Sequence, residues 1–210
     1  MFLMNWLQTT KQRIADCLQK LDHCPISLPT IPTMLNGYST IGTKFKANTL
    51  IRTFRELSWF TSMNSIGGDA FYDCTNLETV NTVNITSIGS GSASGEGYSP
   101  FHRTKITRLD LPNVTTLGNY IGIRLSAVWV IGTKLASINQ YTFRTTSDNP
   151  RNSIYLINTV TPASLVSGTS SMANFQGHIY VPDESYDAYI ASSAWSPLKS
   201  RIKRMSEYTE

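Results

Sequence analysis

The sequence predicts an α/β repeat solenoid: short parallel strands stacked coil upon coil, irregular turns between them, and a closing C-terminal helix. The first observation is a triplet that recurs as Thr40-Ile41-Gly42, Ser65-Ile66-Gly67, Ser87-Ile88-Gly89, Thr116-Leu117-Gly118 and Ser137-Ile138-Asn139, at spacings of 25, 22, 29 and 21 residues. Most copies are followed by an aromatic, at Phe45, Phe71, Phe101 and Phe143, and self-similarity at a period of roughly 20–50 residues marks a stack of like units. The second is a gapless match of LETVNTVNITSIG (77–89) to ITRLDLPNVTTLG (106–118), which sets Leu77 on Ile106, Val80 on Leu109, Ile85 on Val114 and Ile88 on Leu117. The apolar columns persist while the residues between them change, as burial of one edge of each coil demands. The third is composition: 40% hydrophobic but only 15% charged residues. The remaining Ser/Thr/Asn-rich fraction suits strands and turns better than long surface helices.

The 210 residues suffice for one ordinary core or one elongated repeat domain with short appendages. Residues 1–24 read as an amphipathic helix, with Leu7, Ile14 and Leu21 seven apart and Met4 and Leu18 in the matching second position, although Lys11 interrupts that row. Such a helix needs a partner surface. Either it folds back on its own domain, or Leu7, Ile14, Leu18 and Leu21 form a docking or oligomerisation stripe that joins copies of the chain or anchors it to another protein. Pro25, Pro29 and Pro32 then end the helix and make residues 25–37 an extended connector. Residues 38–206 carry the repeats and a C-terminal cap.

Within the repeats, Leu109-Asp110-Leu111 has the period-two alternation of a strand, and Val128-Trp129-Val130, Ile154-Tyr155-Leu156 and Ile179-Tyr180-Val181 are its equivalents. Stacked coils set such strands side by side in a parallel sheet. The tract GGDAFYDCTNLETV (67–80) reads as one unit, with Gly67 and Gly68 as the turn closing a coil, Phe71 and Cys74 as buried filling, and Leu77 and Val80 as the approach to its strand. Aligning the central residue of each strand run predicts an outward row of Trp59, Asn81, Asp110, Trp129, Tyr155 and Tyr180. Tyr and Trp supply rigid contact area with a polar handle, which makes this row a candidate face for a host-surface protein or glycan. The competing expectation is that residues 38–56 cover it.

SIGGDAFYDCTNLETV followed by ITSIG resembles the BspA-like leucine-rich repeats of anaerobic gut bacteria, oral spirochaetes and some of their phages, at its Ile, Gly, Ala, Phe, Cys, Leu and Val positions. NTVTPASL and HIYVPDESYDAYIASSAWSPLKSRIKRM (178–205) are similar to that family's terminal cap of strand, Val-Pro turn and closing helix. The resemblance covers about residues 54–206 and implies a leucine-rich repeat with a short parallel sheet. Two units depart from the pattern: GSGSASGEGYSP places Phe101 twelve residues beyond Gly89, where Phe71 sits four beyond Gly67, and IGIRLSAVWVIG lacks the Phe/Cys signature.

No reactive constellation stands out. His23, His102 and His178 are isolated, Cys17, Cys24 and Cys74 lack CxxC spacing, Asp110 and Asp148 are lone carboxylates, and GSGSASGEG lacks the Gly-Lys-Ser/Thr of a phosphate loop. The expectation is therefore no catalytic residue, no cofactor, no metal and no enzyme. The net charge of +4 comes without a dense basic stripe, so no nucleic-acid partner is expected; Lys199, Arg201, Lys203 and Arg204 read as the solvated face of a final helix. MFLMNWLQTTKQR reverses the order of a secretory signal, and no stretch approaches the roughly 18 apolar residues of a membrane span. Two functional expectations follow. One is a phage virion component of the tail, a fibre or capsid decoration, which docks or oligomerises through residues 1–24. The other, if an export signal precedes Met1, is a bacterial cell-surface or secreted adhesion module.

Overall fold

The structure, a computed structural model, describes residues 39–209 apart from 44, 90–98, 122–124, 140–141, 143–152 and 167–176. The helix expected at 1–24 with Leu7, Ile14, Leu18 and Leu21, the connector, Phe143 and the Gly/Ser tract all lie outside the described residues.

Strands are numbered in chain order. The recurring triplets form strands of their own: β2 (Ser65–Ile66), β4 (Ser87–Ile88), β6 (Thr116–Leu117), β8 (Ser137–Ile138) and β10 (Ser164–Leu165) pair in parallel, each with the next. Ser or Thr lies opposite Ser or Thr throughout, and Thr40 bridges to Ser65 ahead of the series. The second position of each strand points into the core, where Ile66, Ile88, Leu117 and Ile138 are buried. Neighbouring hydroxyls tie coil to coil: Thr86 Oγ1 donates to the Asn64 carbonyl at 3.2 Å and Thr115 Oγ1 to the Thr86 carbonyl at 3.1 Å. A turn follows Gly67, whose carbonyl accepts from Ala70 N–H at 3.2 Å. The glycine itself answers a different need. A Cβ on Gly67 would lie 2.9 Å from Gly42 Cα, so glycine lets adjacent coils approach backbone to backbone.

The longer strands build a second parallel sheet in the order β5 (Arg108–Leu111), β7 (Val128–Ile131), β9 (Ile154–Ile157), β11 (His178–Val181), β12 (Ile202–Arg204), with β1 (Thr53–Phe54) pairing β3 (Thr79–Val80) ahead of it. At its C-terminal end the match of 77–89 to 106–118 is a strand pairing, Ser87 with Thr116 and Ile88 with Leu117. Residues 39–60 do not lie across the sheet. The described residues among them continue both parallel ladders, through Thr40 opposite Ser65 and β1 opposite β3, with Ile41, Phe45, Ile51 and Phe54 buried in the common core.

A column of phenylalanines fills the space between the sheets. Phe45, Phe71 and Phe101 stack at ring separations of 5.7 and 5.8 Å with interplanar angles of 20° and 11°, and Phe54 meets Phe71 edge-on at 6.0 Å. Offset stacking of this kind adds to the burial of three large rings. Two residues after each phenylalanine the backbone turns left-handed, at Ala47, Asp73 and Arg103, with φ of 58°, 58° and 59°. In that conformation Ala47 N–H reaches the Tyr72 carbonyl at 2.7 Å and Asp73 N–H the His102 carbonyl at 3.0 Å, one unit further on. Cys74 is fully buried, and its Sγ donates to the Phe45 carbonyl at 2.9 Å.

The C-terminal end departs from the expected strand, turn and helix in one respect. After β11 and Pro182 come a 3-10 turn, helix α1 (Tyr186–Ala191) and a second 3-10 stretch, Ser196–Arg201; the chain then returns to the sheet as β12, parallel to β11. Tyr189 and Trp195 pack edge-to-face at 4.9 Å under this cap, and Trp195 Nε1 donates to the Ala163 carbonyl at 2.9 Å. Lys199, Arg201, Lys203 and Arg204 are thus divided between a 3-10 stretch and a strand, and do not share the face of a final helix. Three-residue alternation in Ile202–Arg204 is too short to announce a strand, and pairing to β11 supplies what local sequence does not.

Candidate binding face

The register of the longer sheet fixes which side chains point away from the core. Leu109, Trp129, Tyr155, Ile179 and Ile202 share one inward row, because each is the Cα partner of the next. Trp129 and Tyr155 are 0% and 1% exposed. Trp129 lies 5.9 Å from Tyr155 in a stacked pair and 6.3 Å from Phe101 edge-on. This corrects the sequence expectation that Trp129 and Tyr155 line the outward face. Val128-Trp129-Val130 and Ile154-Tyr155-Leu156 are apolar throughout, so hydrophobicity does not choose between the two parities, and a slip of one residue turns every side chain over. The large rings of Trp129 and Tyr155 pack inward in line with Phe101, and the smaller aliphatics of the same strands lie on the other face.

The outward rows are Arg108, Val128, Ile154 and His178, and Asp110, Val130, Leu156, Tyr180 and Lys203. Of the sequence-predicted set, Asp110 is exposed on this face, whereas Tyr180 shares its parity but is only 8% exposed, against Tyr208. Asn81 follows β3 and is half-buried; its Oδ1 accepts from Val83 N–H at 3.1 Å, closing a local turn. Trp59 ends a 3-10 helix, Arg55–Trp59, instead of a strand, and its side chain lies outside what is described. Val128, Val130, Ile154, Leu156, His178 and Lys203 were missed as face residues; the parity of the flanking Arg108 and Asp110, carried strand to strand, was the signal that could have found them.

The face is graded along the stack. At one end Arg108 Nε holds Asp110 Oδ1 at 3.2 Å, an exposed pair within one strand. In the middle Val128, Val130 and Ile154 are half-buried and Leu156 is 7% exposed. At the other end His178 lies 6.3 Å from Tyr180, and Tyr208 closes edge-on over Tyr180 at 5.2 Å. Burial holds His178 below the usual imidazole value, and the cations of Lys203 and Arg201 push it the same way. Arg204, on the opposite parity, is engaged elsewhere: its guanidinium donates to the Asp183 carbonyl at 2.9 Å and lies 4.2 Å from the Tyr186 ring centroid.

Such a surface offers half-buried aliphatic side chains, the half-buried His178 ring and the Lys203 ammonium. It offers no pair of titratable groups poised for proton transfer. Among the described residues no group of three or more His, Cys, Asp or Glu could hold a metal ion, and no helix is long and apolar enough to cross a membrane. No protein-family model matches the chain, and a search of curated proteins finds no match.

Proposed function

We propose that the chain is a non-enzymatic binding and assembly protein: a leucine-rich repeat solenoid of the BspA-like kind, displayed by a phage virion as part of the tail, a fibre or capsid decoration. The observation that carries the binding half is the outward face of the β5–β12 sheet, whose centre is aliphatic where a solvated sheet face would be polar. The sequential addition of one strand per unit to both parallel ladders supports the solenoid reading. The assembly half rests on the amphipathic pattern of residues 1–24 and the Pro-rich connector that separates it from the repeats. Mass spectrometry of purified phage particles, together with light scattering of the chain with and without residues 1–24, tests it. The expected result is presence in particles and an oligomer that the deletion dissolves. Absence from particles with a monomer in both forms refutes it.

A bacterial adhesion module is the second reading, favoured by the same outward face. Its test is an array of host proteins and glycans probed with wild-type chain and with Val130→Lys; binding that the substitution abolishes supports it.

A further inference from the structure

The described residues do not close the two ends of the ladders alike. At the C-terminal end Tyr189 and Trp195 pack beneath the cap, and Trp195 reaches the Ala163 carbonyl beside β10. At the N-terminal end, among the described residues, nothing pairs with Thr40 on the side away from Ser65, or with β1 on the side away from β3. A side chain in the first strand of a ladder has a strand neighbour on one side only, so burying it fully takes a covering element on the other. Yet Ile41 is 0% exposed, while Leu165, in the last strand of the same ladder, is only half-buried with the cap beside it. Phe45, Ile51, Phe54 and Leu57 are buried at the N-terminal end as well.

We propose that residues 25–38 of this chain close the N-terminal end of both ladders, as an apolar strap over the outer side of Ile41, Phe45, Ile51 and Phe54. The inference rests on the solenoid reading of the fold and is independent of the docking role proposed for residues 1–24. Three observations select this segment. It leads directly into the first ladder position, where Thr40 bridges to Ser65. Counting one period of 21–29 residues back from Thr53 reaches residues 24–32, where the chain preceding β1 in a stack would pass. Its composition suits a terminus: Ile26, Leu28, Ile31 and Leu35 supply apolar cover, while Pro25, Pro29 and Pro32 offer no N–H to a further strand and so end the ladder instead of extending it. Extended at about 3.3 Å per residue the segment reaches roughly 45 Å, several times the about 10 Å between packed sheets, so it can pass over both ladder ends.

The test is hydrogen exchange of the full 210-residue chain, read by mass spectrometry for the parent, for the double variant Leu28→Asp/Ile31→Asp and for Ile14→Asp, each at two protein concentrations. The double variant should speed exchange across residues 41–57 at least about tenfold and leave the strands from β6 onward as they are in the parent, because a stack transmits a local opening to its neighbours first. Ile14→Asp should change neither region. Should the double variant fail to fold, Leu28→Ala/Ile31→Ala takes its place and should speed exchange in the same peptides. Exchange across 41–57 that neither double variant alters overturns the strap. An equal effect of Ile14→Asp assigns the cover to residues 1–24, which defeats the strap and the docking role of those residues together. Protection of 41–57 that disappears on dilution makes a second copy the cover, which defeats the strap and leaves the assembly reading standing. A change spread evenly over every strand overturns the solenoid reading and the strap with it.

Discussion

Trp129→Ala tests the strand register on which the binding face depends. The indole is fully buried, stacked on Tyr155 and edge-on to Phe101. Truncating a buried Trp to Ala costs about 3–5 kcal/mol, part transfer and part cavity. Each lost aromatic pair contributes about 0.5–1.5 kcal/mol of that range beyond its area. For a domain of 150–250 residues, one kcal/mol moves Tm by about 2–4 °C, so the midpoint should fall by roughly 6–20 °C. Val130→Ala, one residue along and on the opposite face, should cost no more than about 1 kcal/mol. Urea and thermal unfolding of both variants, followed by circular dichroism, give the comparison. Should Trp129→Ala prove too unstable to purify, Trp129→Phe keeps an aromatic in the site and should still cost more than Val130→Ala. If Val130→Ala is the more damaging of the two, the register described for β7 is wrong and the outward face with it.

Further outcomes are expected. Phe71→Ala, which removes the middle ring of the phenylalanine column, should cost about 3–5 kcal/mol in urea melts; a loss under about 1 kcal/mol would mean the column is not packed as described. Gly132→Ala should destabilise by more than about 2 kcal/mol, since its Cβ would fall 2.1 Å from the Pro112 carbonyl oxygen, whereas Ala47→Gly, at a left-handed φ of 58°, should stabilise by about 0.5–1 kcal/mol. Burial raises the Cys74 thiol from 9.0 to about 11, so at pH 8 its thiolate fraction is about a hundredfold below that of an ordinary thiol and alkylation of folded protein should be slower still; rapid labelling would contradict its position. Between pH 9 and about 11 the unfolded thiol ionises while the folded one stays protonated. Stability should therefore fall as pH rises through that window, and Cys74→Ala should flatten the fall. Burial also raises the Tyr155 phenol, which adds a fall of the same sign at higher pH.

Legibility in the sequence followed the strength of the periodic constraint. The triplets could be placed on one another because each column must bury an aliphatic at its second position, and the described pairs match the 25-, 22-, 29- and 21-residue spacings. Phe71 and Cys74 could be recognised as core for the same reason. The outward face was only partly legible. Asp110 sits in a run whose alternation is unambiguous, but Trp129 and Tyr155 sit in runs that are apolar at every position, and aromatic side chains there suit either face. Lys203 was legible as a charge and not as a face residue, since β12 exists only through its pairing with β11.

The sequence by itself determined the recurring triplet strands and the buried aliphatic at their second position, because each parallel pairing of one strand with the next imposes the same demand for burial. Only the tertiary structure decided the parity of β7 and β9, the return of the chain as β12, and hence the aliphatic centre of the outward face. Those depend on which rings an indole can pack against and on which strand pairs with the last segment, and both are set by neighbours 20 or more residues away along the chain.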